Sequence, residues 1–149
     1  MKATLVSLTL AVLALAACSP DSLKKTKQSP AERNLSRLQS GIKATFADKA
    51  GFPIGKVEPT PPGPCCNEPG MKCAPKAEYW SDPIWTALSF SIDEPDACRY
   101  SYESADGKTF TARAACDLDC DANEIEYVLT GKIDGDKPIF DLVKPTQID

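Results

Sequence analysis

The chain has 149 residues, of which 21 are acidic and 17 basic, and its formal net charge is −4. This acidic balance argues against a nucleic-acid partner. The absence of histidine excludes c-type haem attachment, Cys/His zinc sites and both Ser-His-Asp and Cys-His catalysis.

The N-terminal residues have the pattern of a secretory signal peptide. Lys2 precedes an apolar run over residues 3–17, which is too short to span a bilayer as a mature helix. The run ends in Leu-Ala-Ala-Cys at residues 15–18, which resembles the lipobox of bacterial lipoproteins. The resemblance implies a signal peptide of residues 1–17, acylation of Cys18 and a membrane anchor. The alternative is an ordinary Ala-x-Ala cleavage site that leaves Cys18 for a disulfide.

The cysteine count agrees with acylation of Cys18. Seven is an odd number, and the other six cysteines can all pair: Cys65, Cys66, Cys73, Cys98, Cys116 and Cys120. Export places them in an oxidising compartment, where disulfides persist. By the lipoprotein sorting rule, Ser19 in place of aspartate implies the outer membrane.

A polar tether and an amphipathic helix follow the anchor. Residues 18–29 lack periodicity and predict a flexible tether, so a single domain is expected over residues 30–149. We expect Ser29 to be the N-cap of this helix and Pro30 to take its first helical position. Glu32 is expected to close a capping box with Ser29. An apolar stripe at helical spacing follows, made of Leu35, Leu38, Ile42, Thr45 and Phe46. Gly51 and Pro53 are expected to end the helix.

The middle of the chain is expected to have little regular structure. Residues 51–75 contain seven prolines, four glycines and three cysteines, and predict a long loop held by disulfides. Residues 81–83 (Ser-Asp-Pro) predict a second short helix, with Trp80 and Trp85 buried near it. Alternation over residues 88–92 then predicts a strand.

The rest of the chain has strand patterns. Residues 98–104 and 109–116 flank Asp-Gly at 106–107 and predict a hairpin. Placing Cys98 opposite Cys116 puts the tyrosines on one face and the charged residues on the other, so we expect a Cys98–Cys116 disulfide. Residues 124–133 and 139–143 predict two further strands.

Two pairings remain for the other four cysteines, because a bond between adjacent cysteines is strained. They are Cys65–Cys73 with Cys66–Cys120, or Cys66–Cys73 with Cys65–Cys120. A four-thiolate metal site would need reduced thiols and paired Cys-x-x-Cys spacings, which the sequence lacks.

An acidic segment at residues 117–123 resembles the first half of a calcium loop. Asp117, Asp119, Asp121 and Asn123 place oxygen ligands at alternate positions. The second half differs, because Ala122 replaces glycine at position 6 and residue 128 is valine where glutamate is usual. The segment is therefore either a weak calcium site or a polar turn whose aspartates cap backbone amides.

Three segments together resemble the globular part of type IV pilin-like proteins of deltaproteobacteria such as myxobacteria. They are WSDPIWTALSFSIDEP at 80–95, FTARA at 110–114 and DLDCD at 117–121. The cysteine loop at 65–73 fits as well, and the resemblance covers roughly residues 31–133. It implies a long helix packed on an antiparallel sheet. The chain departs from pilins at its start, where a lipoprotein signal replaces the prepilin-peptidase site and polymerising helix.

The sequence thus predicts an α+β fold in which one amphipathic helix packs on an antiparallel sheet of about four or five strands. No nucleophile beside a base, isolated carboxylate pair or Gly-rich phosphate loop is recognisable. We expect a non-enzymatic envelope lipoprotein that binds a pilus or secretion component, without a cofactor. The alternative is a calcium-dependent adhesin or ligand-binding lipoprotein.

Overall fold

A computed structural model describes residues 28–146 of the chain. Its helices and strands are α1 (Pro30–Lys49), β1 (Gly55–Thr60), α2 (Pro83–Ala87), β2 (Cys98–Ser104), β3 (Thr109–Cys116), β4 (Ile125–Asp134) and β5 (Lys137–Val143). Three short 3-10 turns lie between β1 and α2, at Cys65–Asn67, Pro69–Met71 and Ala77–Trp80. The predicted signal peptide, Cys18 and the tether up to residue 27 lie outside the described residues.

Helix α1 begins at the predicted N-cap. The Ser29 hydroxyl accepts a hydrogen bond from the Glu32 amide at 3.2 Å, and Pro30 takes the first helical position. The capping box is only half formed, because the Glu32 carboxylate binds the Lys144 ammonium at 3.0 Å. The helix buries one face, formed by Ala31, Leu35, Leu38, Ile42 and Thr45.

Helix α1 ends at Lys49, and its C-cap is Ala50 instead of Gly51. Ala50 takes the left-handed conformation, with φ 52°, and its amide donates to the Phe46 carbonyl at 2.8 Å. Earlier in the helix, a Cβ built on Gly41 would lie 1.9 Å from the carbonyl oxygen of Leu88. Only glycine therefore lets α1 approach the turn after α2 this closely.

The five strands form one antiparallel sheet in chain order, and α1 packs against β3 and β4. This confirms one long helix with an antiparallel sheet, and the strand number is five. The core between the two layers contains Leu35, Leu38, Ile42, Trp85, Phe90, Tyr100, Tyr102, Phe110, Ala112, Ala114, Tyr127 and Leu129. The sheet face away from α1 is called the outer face below.

The β2–β3 hairpin has the register that the sequence predicts. Cys98 lies opposite Cys116, Tyr100 opposite Ala114 and Tyr102 opposite Ala112. These six side chains are all buried on the helix side of the sheet. The alternating polarity therefore determines which face of each strand meets the core.

The prediction that residues 51–75 contain neither helix nor sheet is wrong, because β1 lies within them. Gly55, Lys56 and Val57 pair with the end of β2, and the register then shifts before Thr60. Pro59 falls inside that irregularity. A proline is tolerated there because β1 is an edge strand and needs ladder hydrogen bonds on one side only.

The predicted strand at residues 88–92 is also wrong. Leu88, Phe90 and Ile92 are buried and the serines between them are more exposed, so the alternation is present. The backbone instead bonds locally: the Phe90 amide donates to the Trp85 carbonyl at 3.0 Å. Ser89 has φ 50°, a left-handed conformation that breaks an extended strand. The alternation of apolar and polar residues over 88–92 therefore reflects side-chain burial and not strand pairing.

Helix α2 matches its prediction. The Asp82 carboxylate accepts a hydrogen bond from the Ile84 amide at 2.8 Å, and Pro83 starts the helix. Trp85 is fully buried and Trp80 lies beside it with ring centroids 5.8 Å apart. This aromatic cluster fills the space between α1, β1 and β2.

Candidate functional site

A cleft of about 510 Å³ lies beside the start of α1. One wall is the first two turns of α1 and the other is the segment 92–98, which leads into β2. The floor is apolar, because Ile92, Tyr127 and the Cys98–Cys116 disulfide line it. Leu118 lies on the rim and is 44% exposed.

The rim of this cleft has charges of both signs. Arg37 donates to the Ser91 carbonyl at 3.1 Å and lies 3.9 Å from Asp93 across the cleft. Three further charged side chains line the cleft without an ion pair inside residues 28–146: Arg33, Lys72 and Glu94. They are exposed, so they remain available to a ligand that presents opposite charges.

Below the cleft lies a buried polar network centred on Asp96. Its Oδ2 accepts hydrogen bonds from the Tyr100 hydroxyl at 2.7 Å and from the Asn34 amide at 2.8 Å. Its Oδ1 accepts one from the Cys98 backbone amide at 3.2 Å. A buried carboxylate needs such donors to offset its lost hydration. The network therefore joins α1 to the start of β2.

Two buried tyrosines have perturbed phenols. Burial raises the pKa of Tyr100 far above its ordinary value, and the charge of Asp96 raises it further. Burial likewise raises the pKa of Tyr102, whose hydroxyl donates to the Pro53 carbonyl at 2.9 Å. Both hydroxyls therefore remain protonated donors at neutral pH, which is a structural role.

The described residues form three disulfides, and one of them, Cys98–Cys116, lines the floor of the cleft. The structure pairs Cys98 with Cys116, as the hairpin register predicts. It also contains Cys65–Cys73 and Cys66–Cys120, the first of the two alternatives that the sequence left open. The third bond ties the proline-rich segment to the β3–β4 loop, 54 residues away. Lys72 and Leu118 are thereby brought to one cleft from distant parts of the chain.

The predicted calcium ligands lie in the β3–β4 loop. Oxygen atoms of Asp117, Asp119 and Asp121 lie within 4.8 Å of one another. These carboxylates also accept local hydrogen bonds. Asp119 accepts from the Asp121 amide at 3.1 Å, and Asp117 Oδ2 accepts from the Ala122 amide at 3.2 Å. The loop thus has the convergence of a cation site and the hydrogen bonds of a capped turn.

Asn123 differs from the three aspartates. Its side-chain amide donates to Asp121 Oδ2 at 2.8 Å, and its backbone amide donates to Oδ1 of the same residue at 2.8 Å. These two hydrogen bonds lower the pKa of Asp121. Cys120 and Ala122 have φ of 63° and 73°, so the loop turns sharply without glycine. Asn123 therefore directs its side-chain amide toward Asp121 and holds the Asp121 carboxylate in place.

The sequence did not reveal the Asp96 network or the cleft. The hairpin register correctly places Tyr100 on the same face as Tyr102, but its hydrogen-bond partner Asn34 lies 66 positions earlier in the chain. Pairings over such distances leave no local pattern, since they depend on how α1 crosses the sheet. Cys18, the predicted lipidation site, lies outside the described residues.

Within residues 28–146, no helix combines the length and apolar content needed to cross a bilayer. No protein-family model matches the chain, no curated protein matches it, and no solved structure matches it.

Proposed function

We propose that this chain is a non-enzymatic bacterial lipoprotein, anchored through acylated Cys18, whose pilin-like domain binds an envelope protein of a pilus or secretion system. The observation that carries the proposal is the cleft beside the start of α1. It combines an apolar floor, an exposed leucine and charges of both signs that form no ion pair with any residue from 28 to 146. Such a surface suits a polypeptide segment, which offers apolar and charged groups together.

The anchor and the cleft fit one arrangement. Ser29 and Pro30, which line the cleft, lie where the tether meets α1. A stretched chain spans about 3.3–3.6 Å per residue, so the tether from Cys18 to Gln28 reaches roughly 35 Å. The domain would stay close to the membrane, with its cleft facing partners held there. The absence of aspartate at position 19 favours the outer membrane.

The pilin-like assignment is supported by architecture and by the quoted motifs. A long helix lies on an antiparallel sheet, and a disulfide ties the proline-rich segment to the loop after β3. Because the lipoprotein signal stands where pilins have their polymerising helix, the domain would bind pilus components without joining the filament core.

Two buried ionisable groups have a structural role in the domain. Asp96 has both carboxylate oxygens occupied by hydrogen bonds, and Tyr100 is held protonated by burial. These groups stabilise the contact between α1 and β2.

Site-specific photocrosslinking in cells tests the proposal. A photoreactive residue is placed at Leu118 on the cleft rim, with Ile54 as the matched exposed position beside β1. We expect the Leu118 probe to capture a pilin, a pilus assembly protein or a secretion channel, and the Ile54 probe not to. The capture should disappear in a Cys18→Ala variant. Equal capture from both positions, or bulk lipoproteins alone, would contradict the proposal.

A second candidate function is calcium-dependent adhesion or ligand binding through the β3–β4 loop. Besides the convergence of three carboxylates, Oδ1 of Asp117 is buried and has no hydrogen-bond partner within the described part of the chain. A cation bound there would satisfy this atom.

Thermal unfolding with millimolar calcium and with a chelator tests this candidate, because a ligand bound only by the folded state raises the melting temperature. Asp121→Asn should abolish the calcium effect, and Asp106→Asn, in another exposed turn, should retain it. An unchanged melting temperature in millimolar calcium would exclude the candidate.

A further inference from the structure

The two edges of the sheet differ in regularity. At one edge, β1 contains Pro59 and a register shift, so its ladder is broken. At the other edge, β5 pairs with β4 through seven consecutive positions without a bulge. A regular exposed edge strand presents unpaired amides and carbonyls to another strand. Among the described strands, β5 is therefore the edge suited to further pairing.

The backbone of β5 offers its free groups at alternate residues. The Ile133 amide donates to the Lys108 carbonyl at 3.0 Å, so the backbone groups of Ile133 point toward β3. They therefore point away from β5, and the Ile133–Pro138 pair is not hydrogen-bonded. Pro138 therefore faces out of the sheet edge, where its missing amide hydrogen costs no ladder bond. By the same alternation, Phe140 and Leu142 direct their amides and carbonyls outward.

The side chains of β5 divide between the two faces. Phe140 contacts Phe52 and Phe110 in the core, so residues 137, 139, 141 and 143 lie on the outer face. Ile139 and Val143 are 45% and 54% exposed. Lys137 and Asp141 make no ion pair with any described residue. The outer side of the edge thus alternates unpaired charges with exposed apolar groups.

We propose that a second copy of this chain pairs with β5 in the antiparallel direction, with Ile139 on the two-fold axis. In this register Ile139 faces Ile139 of the second copy, and Lys137 faces Asp141 of the second copy on either side. The Phe140 amide of each copy can donate to the Pro138 carbonyl of the other. Opposite charges directly across a strand pair stabilise it, and equal charges destabilise it.

The charges also select this register over its neighbours. A two-fold axis at Asp141 would place two aspartates opposite each other, and an axis at Lys137 would do the same with two lysines. An axis at Phe140 would place Ile139 opposite Asp141 and leave Lys137 opposite Val143. Among these axes, only the one at Ile139 places Lys137 opposite Asp141 and the two isoleucines opposite each other. The strand is therefore complementary to itself.

The resulting dimer has one continuous ten-stranded sheet with both α1 helices on the same face. Its interface is a single strand pair and lies at the low end of interface sizes, so we expect a reversible association. The cleft at the start of α1 remains open. The dimer does not depend on the lipid anchor or on an envelope partner.

Cysteine crosslinking in the envelope of intact cells tests the proposal. In the inferred register two Ile139 Cα atoms form a non-hydrogen-bonded pair about 4.5 Å apart, within the range that a disulfide spans. Ile139→Cys should therefore give a covalent dimer on non-reducing gels. Val143→Cys is the matched control, since it is at least as exposed on the same face but faces residue 135 of the second copy. Equal crosslinking of the two variants would overturn the register.

Charge exchange supplies a second test in the Ile139→Cys background. Lys137→Asp and Asp141→Lys should each lower the dimer fraction severalfold, because each places equal charges opposite each other. The double variant should restore it. Lys108→Asp, in the distant β2–β3 turn, should have no effect. A dimer fraction that is unchanged in both single variants would overturn the proposal. So would a protein that stays monomeric in every variant, or a crosslink to a different protein in place of the dimer.

Discussion

The hydroxyl of Tyr100 lies 2.7 Å from Oδ2 of Asp96, and both side chains are buried beneath the start of α1. Asp96 is thus an interior carboxylate whose second donor, Asn34, comes from the helix. Through Asn34 the pair joins α1 to the segment before β2, so the stability of this network is also the stability of the cleft walls.

We expect Tyr100→Phe to lower the free energy of unfolding by about 1.5–3 kcal/mol, because it removes a donor to a buried carboxylate. Tyr102→Phe is the matched control. Its hydroxyl donates to a neutral carbonyl, so the expected loss is about 0.5–1.5 kcal/mol. Urea unfolding of both variants measures the difference. Equal losses would show that the charge on Asp96 adds nothing to the bond.

Gly41→Ala should destabilise the protein although alanine favours helix by about 1 kcal/mol over glycine. The new Cβ would lie 1.9 Å from the Leu88 carbonyl oxygen, which forces α1 away from the turn after α2. Overpacking of this kind costs about 1–3 kcal/mol, so the net sign is unfavourable. Ser40→Ala, on the exposed side of the same turn, is the control. A stabilised Gly41→Ala would disprove the close approach.

Mild reduction should open Cys66–Cys120 before the other two disulfides. Its cysteines are half-buried, whereas the four other paired cysteines are at most 7% exposed. Reductant followed by alkylation and mass spectrometry identifies the order in which cysteines react. Labelling of Cys98 or Cys116 first would contradict this order, because the β2–β3 hairpin would then open more readily than the β3–β4 loop.

The β2–β3 turn should contribute an acid-sensitive element of stability. Backbone amides of Thr109 and then Lys108 donate to the Asp106 carboxylate and lower its pKa below the ordinary value of 3.8. The carboxylate therefore favours the folded turn above that value, and the contribution is lost as the pH falls through the lowered folded pKa.

Carbon-detected NMR titration of Asp106 in the folded chain measures this pKa directly. Asp106→Asn should remove the corresponding part of the acid dependence of unfolding while keeping the turn. A midpoint for Asp106 at or above 3.8 would contradict the hydrogen bonds seen in the structure.

The hairpin illustrates what local pattern can predict. Two independent constraints, alternating polarity and the Cys98–Cys116 pair, required the same register for β2 and β3, and the structure has that register. The start of α1 was predictable for a similar reason, since Ser29 and Pro30 have conformational preferences that act within one turn.

The errors arose where tertiary packing overrides local pattern. Strand β1 contains Pro59, which is acceptable only because the strand is at an edge, and edge position is not visible in sequence. Residues 88–92 alternate in burial without pairing because Phe90 turns into the aromatic core beside Trp85. The cleft shares this origin, since its walls come from segments more than fifty residues apart.

The strand order has a consequence for how the chain matures. The apolar face of α1 is covered by β3 and β4, which ribosomes synthesise only after residues 50–108. A lone helix of twenty residues is marginally stable in water, so the nascent segment 30–49 must wait with its leucines exposed. The later hairpins, in contrast, pair with their immediate neighbours and can form quickly. The leucines of α1 are therefore fully covered only once β4 is complete.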